Sequence, residues 1–127
     1  MNNRSAGAKG EELAEEYLTQ HGVRILDRNF HFHKLGEIDL IGETCEEYIP
    51  GKKMSVLVFI EVKKRTSGLC GTGAQAVGSA KQRTIGKVAR AYLMEKHIPQ
   101  DRCIRFDVVS IDGSRVSWIK NAFEYRQ

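Results

Sequence analysis

Apolar residues recur along this chain with two different periods, and the changes of period predict where its helices and strands lie. A first helix is predicted from about Ala6 to Gln20, because apolar residues return there every three or four positions and Gly22 follows as a stop signal. A second helix of about 20 residues follows a glycine-containing loop and is predicted to end near His97, before Pro99.

Apolar runs and alternating patterns predict five strands, three between these helices and two after the second helix. They cover residues 23–32, 36–42, 56–65, 104–112 and 115–123, with turns at Pro50–Gly51 and Asp112–Gly113. The predicted order is α-β-β-β-α-β-β, which indicates an α/β fold with a mixed β-sheet flanked by helices. With 127 residues, the chain is expected to form a single domain over 1–127.

The third strand carries two charges inside an apolar run, "VFIEVKKR". Successive side chains of a strand point to opposite faces, so Glu61 and Lys63 are predicted to project to the same side. A carboxylate and an ammonium rarely enter a sheet interior without a partner. The pair therefore indicates either a buried structural ion pair or a site of chemistry.

A second carboxylate is predicted beside Glu61. Alternation along the second strand places Ile38 and Leu40 on one face and Glu37, Asp39 and Ile41 on the other. The second and third strands are joined by a hairpin-like connection, so Asp39 and Glu61 are expected to be neighbours, with Lys63 beside them. Neighbouring carboxylates repel unless a cation lies between them, and oxygen ligands of this type suit Mg²⁺ or Mn²⁺.

Each predicted helix turns one charged residue toward the sheet. Helical geometry places Glu11 on the apolar stripe of the first helix, where a snorkelling edge residue or a charge near the helix N-terminus is the alternative interpretation. Lys81 lies in the apolar stripe of the second helix and needs an anion there. Arg83, Lys87 and Arg90 cluster on the opposite face, as a solvated surface or a contact for phosphates.

Composition narrows the class of protein only slightly. The chain is 41% hydrophobic and 28% charged, and its formal charge of +4 permits a polyanionic partner without requiring one. Three scattered cysteines argue against a disulfide framework or a zinc knuckle. No apolar run approaches the roughly 20 residues that span a bilayer. A cytoplasmic protein with no membrane partner is expected.

Five segments together resemble a known family. They are "GAKGEELAEEYL", "GEIDLI", "FIEVKKR", "AKQR" and "RFDVV", in this order over nearly all of residues 7 to 111. "GEIDLI" followed by "FIEVKKR" resembles the Asp…(Asp/Glu)-x-Lys core of the PD-(D/E)xK nucleases. The whole set resembles one branch closely, the bacterial YraN-type family of uncharacterised, endonuclease-like proteins.

This resemblance implies a restriction-endonuclease-like fold, similar to that of Holliday-junction resolvases, and a site on particular residues. It implies that Asp39 and Glu61 hold Mg²⁺ or Mn²⁺, with the carbonyl of Val62 as a further ligand, that Lys63 assists the attacking water, and that Glu11 is the first-helix carboxylate. Lys81 and Gln82 match the polar positions of the second helix, and Arg83, Arg65 and Lys64 are expected to bind neighbouring phosphates.

Three functions stay open on the sequence alone. The first is a metal-dependent endonuclease that hydrolyses phosphodiester bonds in nucleic acid, expected to be DNA. The others are a nucleic-acid-binding module with poor turnover and a structural or partner protein whose polar core forms a buried network. The acidic residues Glu43, Glu46 and Glu47 would repel a phosphate backbone if they lay near the site. A homodimer would suit a branched substrate, but the sequence leaves the oligomeric state open.

Overall fold

A computed structural model describes residues 6–65 and 77–124, with side chains for 9–64 and 77–124. Its elements are α1 (Ala6–Gln20), β1 (Arg24–Phe32), β2 (Gly36–Ile49), β3 (Lys52–Arg65), α2 (Ser79–Glu95), β4 (Ile104–Asp112) and β5 (Arg115–Phe123). The predicted order and the α/β class with a restriction-endonuclease-like arrangement are confirmed. None of the helices in these ranges combines the length and apolar character needed to cross a membrane.

The five strands form one mixed sheet in the spatial order β1-β2-β3-β4-β5. Only β3 and β4 run parallel, and α2 supplies the crossover between them, while the other neighbours are antiparallel. The two helices pack on opposite faces of the sheet. Ala14 and Leu18 of α1 lie in one buried cluster with Val58 and Ile60, whereas α2 buries Ile85 and its neighbours in the other.

The β2–β3 hairpin is longer than the sequence pattern predicts. β2 continues to Ile49 and β3 starts at Lys52, whereas the predicted strands covered only 36–42 and 56–65. Pairs such as Glu46 with Met54 form a two-stranded extension beyond the neighbouring strands. The charged residues of this extension are typical of a loop in the sequence. They are compatible with exposed antiparallel strands, because the strands pair through their backbones while the side chains face solvent.

A fully buried carboxylate connects β4 and β5. Asp107 is 0% exposed and receives hydrogen bonds from Arg105 (2.8 and 2.9 Å), from the Trp118 indole (2.8 Å) and from the backbone N–H of Asn121 (2.9 Å). Arg105 extends the network to Glu46 on the hairpin, at 2.9 Å. Both oxygens of the buried charge therefore have hydrogen-bond donors, as a buried carboxylate requires.

Candidate metal centre

The alternation of β2 is interrupted at Asp39, and this corrects the sequence prediction. Ile38 and Ile41 belong to the buried cluster beneath α2, whereas Leu40 belongs to the cluster beneath α1. Regular alternation would have placed Ile38 and Leu40 on one face, as predicted. The break leaves Asp39 between the two faces, where it can approach groups from both sides of the sheet.

Asp39 is fixed by the backbone of the neighbouring strand. Its Oδ2 accepts a hydrogen bond from the N–H of Val62 at 2.8 Å. The regular β2–β3 ladder ends one residue earlier, at the pair of Leu40 with Ile60. The side chain of Asp39 therefore accepts a hydrogen bond from a backbone N–H just beyond the last residue pair of the ladder. The Val62 carbonyl as a metal ligand stays a prediction.

Three carboxylates converge at this break. Oxygen atoms of Glu11, Glu37 and Asp39 all lie within 4.8 Å of one another, and each residue is partly buried. Burial, together with the charges of Glu61, Glu11 and Glu37, raises the pKa of Asp39 to about 7, although the hydrogen bond from the Val62 backbone opposes the increase. A set of oxygen-only ligands held at this spacing fits a hard divalent cation such as Mg²⁺ or Mn²⁺.

Glu61 is adjacent to this cluster but is paired with lysines. Glu61 is 7% exposed, and its Oε2 lies 3.8 Å from the Nζ of Lys63 and 3.5 Å from the Nζ of Lys81. Glu61 and Lys63 thus share the α2 face, and Lys81 reaches them from the helix. The charge of Glu61 is the largest electrostatic contribution to the raised pKa of Asp39.

The first-helix residue Glu11 lies on the half-buried side of α1, whereas Glu12 is exposed. Glu37 is a member of the cluster that sequence reasoning did not propose as a ligand. The sequence feature that could have identified Glu37 is its position two residues before Asp39, because strand alternation predicts both side chains on one face. The Oε1 of Glu37 lies 2.8 Å from the ring nitrogen Nε2 of His31.

The predicted phosphate-binding residues are distributed around the centre rather than gathered in it. Gln82 is buried and donates a hydrogen bond to the carbonyl of Val77 at 2.8 Å. Arg83 is exposed on the outer face of α2, and Lys64 is exposed near α1, where a Cβ added at Gly10 would lie 3.7 Å from the Cγ of Lys64. The side chain of Arg65 lies outside the described residues, as does most of the glycine-containing loop.

The acidic segment after Asp39 lies at the far end of β2, where its charges are engaged locally. Glu43 pairs with Arg102 at 2.9 Å, and Glu46 with Arg105 at 2.9 Å. The carboxylate of Glu47 accepts a backbone hydrogen bond at the hairpin turn, at 2.7 Å. Each of these three carboxylates therefore has a local ion-pair or hydrogen-bond partner.

The fold and the convergent carboxylates define a class: an α/β protein with a restriction-endonuclease-like sheet and an acidic centre at an interrupted strand. The model of the uncharacterised protein family UPF0102 matches residues 10–111, which is most of the chain. This chain belongs to that family, and the resemblance to the YraN-type family is confirmed.

Curated relatives match most of the chain. A UPF0102 protein of Geobacter metallireducens is 44% identical over 128 residues, covering 98% of this chain and 96% of the relative. One from Pelobacter propionicus is 42% identical, covering 96% of this chain and 84% of the relative. A third, from Alkaliphilus oremlandii, is 39% identical and covers 95% of this chain and 99% of the relative.

Proposed function

We propose that this protein is a metal-dependent endonuclease that hydrolyses phosphodiester bonds in nucleic acid, with DNA as the expected substrate. The observation that carries the proposal is the convergence of Glu11, Glu37 and Asp39 within 4.8 Å, next to Glu61 with its two lysines. Mutual repulsion and burial in such a cluster favour a bound divalent cation, which replaces the proton that otherwise neutralises Asp39.

The residues divide into ligands and cationic groups. Asp39 and Glu61 would hold Mg²⁺ or Mn²⁺, with Glu11 and Glu37 completing an oxygen-rich shell. The cation, when bound, stabilises negative charge on the phosphate and lowers the pKa of water at the site. Lys63 adds a point charge of the protein's own, aligned by Glu61 at 3.8 Å.

Both lysines keep donors available for a phosphate. The side chain of Lys63 is 32% exposed and that of Lys81 is 48% exposed, while the carboxylate of Glu61 between them is buried. An ammonium has three N–H donors, and the contact to Glu61 occupies only part of them. The two cations can therefore contact non-bridging phosphate oxygens while Glu61 fixes their positions.

The charges on the two helices differ, and this difference supports one side of the site for the proposed substrate. α1 contains four glutamates and one lysine, and these glutamates line a groove of about 760 Å³ beside β1. α2 contains four basic residues and one acidic residue. A phosphate backbone is repelled by the first surface and attracted by the second. We therefore place the substrate on the α2 side of the carboxylates, next to Lys63 and Lys81.

A structural role is the second candidate, and one observation favours it. Glu61 is already paired with Lys63 and Lys81, as expected for a buried polar network. A Glu61→Gln change in a wholly buried network would cost about 3 kcal/mol. Because both lysines are partly exposed and can be hydrated, we expect a smaller loss of stability here.

Cleavage assays with branched, single-stranded and double-stranded substrates test the proposal. The wild type should cleave at least one substrate with Mg²⁺ or Mn²⁺, and Asp39→Ala and Glu61→Gln should not. Glu95→Gln is the matched control, because this exposed carboxylate at the end of α2 pairs only with Lys96, at 4.0 Å, among its ion pairs in the described chain. Equal cleavage by Asp39→Ala, or no cleavage of any substrate by the wild type, contradicts the proposal.

Melting curves separate the two candidate functions. Mg²⁺ should raise the melting temperature of the wild type and of Glu95→Gln, because a ligand that binds only the folded state stabilises it. The same addition should change Glu61→Gln much less. A wild type whose melting temperature does not respond to Mg²⁺ or Mn²⁺, combined with a destabilised Glu61→Gln in metal-free buffer, supports the structural network instead.

A further inference from the structure

Asn29 on β1 lies directly opposite the interrupted position of β2. The residues that flank Asn29 pair with the residues that flank Asp39, so the two residues occupy opposite positions on neighbouring strands. The backbone of Asn29 has a φ of 50°, in the left-handed region that L-residues rarely enter. Asparagine tolerates this conformation better than most residues, but in a strand it needs a compensating interaction.

The side-chain amide of Asn29 joins two of the three clustered carboxylates. Its Nδ2 donates to Oε1 of Glu11 at 3.0 Å and to Oε2 of Glu37 at 3.1 Å. These carboxylates come from different elements, helix α1 and strand β2. The orientation of the amide is determined chemically, because its carbonyl oxygen in the same place would face two negatively charged acceptors.

The hydrogen bonds from Asn29 act on a cluster of carboxylates that repel one another. Glu11, Glu37 and Asp39 repel one another at this spacing, and Asn29 provides two N–H donors without adding charge. Each carboxylate oxygen has two lone pairs, so an oxygen that accepts an amide hydrogen can still face a cation. Hydrogen bonds of this kind to ligand carboxylates set their direction and their affinity for metal.

We infer that Asn29 is a positioning residue of the divalent-cation site, which orients Glu11 and Glu37 toward Asp39 through its bridging amide. The inference rests on the proposed function, since it assigns Asn29 to the same cation site. It adds β1 to the elements that build the site, beside α1, β2 and β3. Loss of the amide should therefore weaken cation binding while the sheet stays folded.

Titration calorimetry with Mn²⁺ tests this inference without any nucleic acid. Asn29→Gly keeps the left-handed backbone accessible but removes the amide. We expect its Mn²⁺ affinity to fall about 10-fold to 100-fold, the usual effect of removing a group that orients metal ligands. Asn29→Asp also tolerates the backbone conformation, but replaces the donors by a fourth carboxylate. In metal-free buffer at pH 8 it should melt below Asn29→Gly.

Asn121→Gly is the matched control. Asn121 is also an exposed asparagine in a strand with a left-handed φ, of 54°, but it donates its backbone N–H to Asp107, away from the cluster. Its replacement should leave Mn²⁺ affinity unchanged. If Asn29 served only to make a backbone turn, Asn29→Gly would bind Mn²⁺ like the wild type.

The outcomes distinguish this inference from the proposed function. Wild-type binding of Mn²⁺ that is lost in Asp39→Ala but unchanged in Asn29→Gly overturns the role of Asn29 and leaves the metal site standing. Equal losses in Asn29→Gly and Asn121→Gly overturn it as well, because they indicate a general effect of glycine in a strand. A wild type that binds no Mn²⁺ overturns both.

Discussion

Asp39→Asn should make the metal-free protein more stable at pH 8. The substitution removes the charge of Asp39, while the amide oxygen can still accept the N–H of Val62. Burial and the charges of Glu61, Glu11 and Glu37 raise the pKa of Asp39 from 3.8 to about 7, so the ionised form is disfavoured in the folded protein. In the unfolded chain this penalty is absent.

The direction of the pH dependence follows from this shift. In the folded protein the pKa of Asp39 lies above its unfolded value, so its contribution to stability is fully present below about pH 4. That contribution decreases as the pH rises to about 7. A shift from 3.8 to about 7 corresponds to roughly 4 kcal/mol, and partial solvent exposure reduces the expected loss to about 2–4 kcal/mol.

Urea unfolding in EDTA at pH 4, 6 and 8 measures this difference. Asp39→Asn should match the wild type near pH 4 and exceed it by about 2–4 kcal/mol at pH 8. Mg²⁺ at 100 times its dissociation constant should stabilise the wild type by about 2.7 kcal/mol and the variant by less. A stability difference that is independent of pH, or a variant less stable at pH 8, would refute the reasoning.

Glu46→Gln provides a control of opposite sign. A hydrogen bond from Arg105 lowers the pKa of the Glu46 carboxylate, and the charge of Lys120 contributes to the same direction. Its charge therefore stabilises the fold above its unfolded pKa, and neutralising it should cost stability at pH 8 rather than add it. Because this carboxylate is partly exposed, the loss should stay near 1 kcal/mol or below.

Three further changes test other parts of the structure. Replacing Arg83 and Lys87 together with Ala should reduce the salt dependence of nucleic-acid binding by up to about 0.9 log units for each B-DNA phosphate that the two side chains neutralise, measured by fluorescence anisotropy. Gly42→Ala should destabilise by about 1–3 kcal/mol in urea, because its Cβ would lie 2.6 Å from Cγ1 of Val23. Asp107→Asn should cost about 3–5 kcal/mol, because it removes the buried partner of an arginine.

Each of these three predictions can be contradicted by a specific result. An unchanged salt dependence would assign Arg83 and Lys87 to a solvated face that does not touch phosphate. Gly78→Ala is the control for Gly42→Ala, since a Cβ at Gly78 meets nothing within 4 Å, and equal effects of the two would contradict the steric argument. An Asp107→Asn protein as stable as the wild type would show that the buried network is energetically neutral.

Local patterns in the sequence predicted the element order and several members of the site. Apolar periodicity distinguishes helices from strands because each has a fixed geometry along the chain. The same alternation placed Glu61 and Lys63 on one face of β3, where their charged atoms lie 3.8 Å apart. The helical period placed Glu11 on the half-buried side of α1. These features depend only on neighbours close in sequence.

Contacts between distant parts of the chain decided the rest. The break at Asp39 sends Ile38 and Leu40 to opposite faces, and no local pattern predicts it, since it depends on pairing with β1 and β3. The hydrogen bonds from Asn29 to Glu11 and Glu37 likewise join segments that are distant in sequence. The alternation of side chains is a property of one strand alone. The position at which it is interrupted is determined by pairing with the strands on both sides.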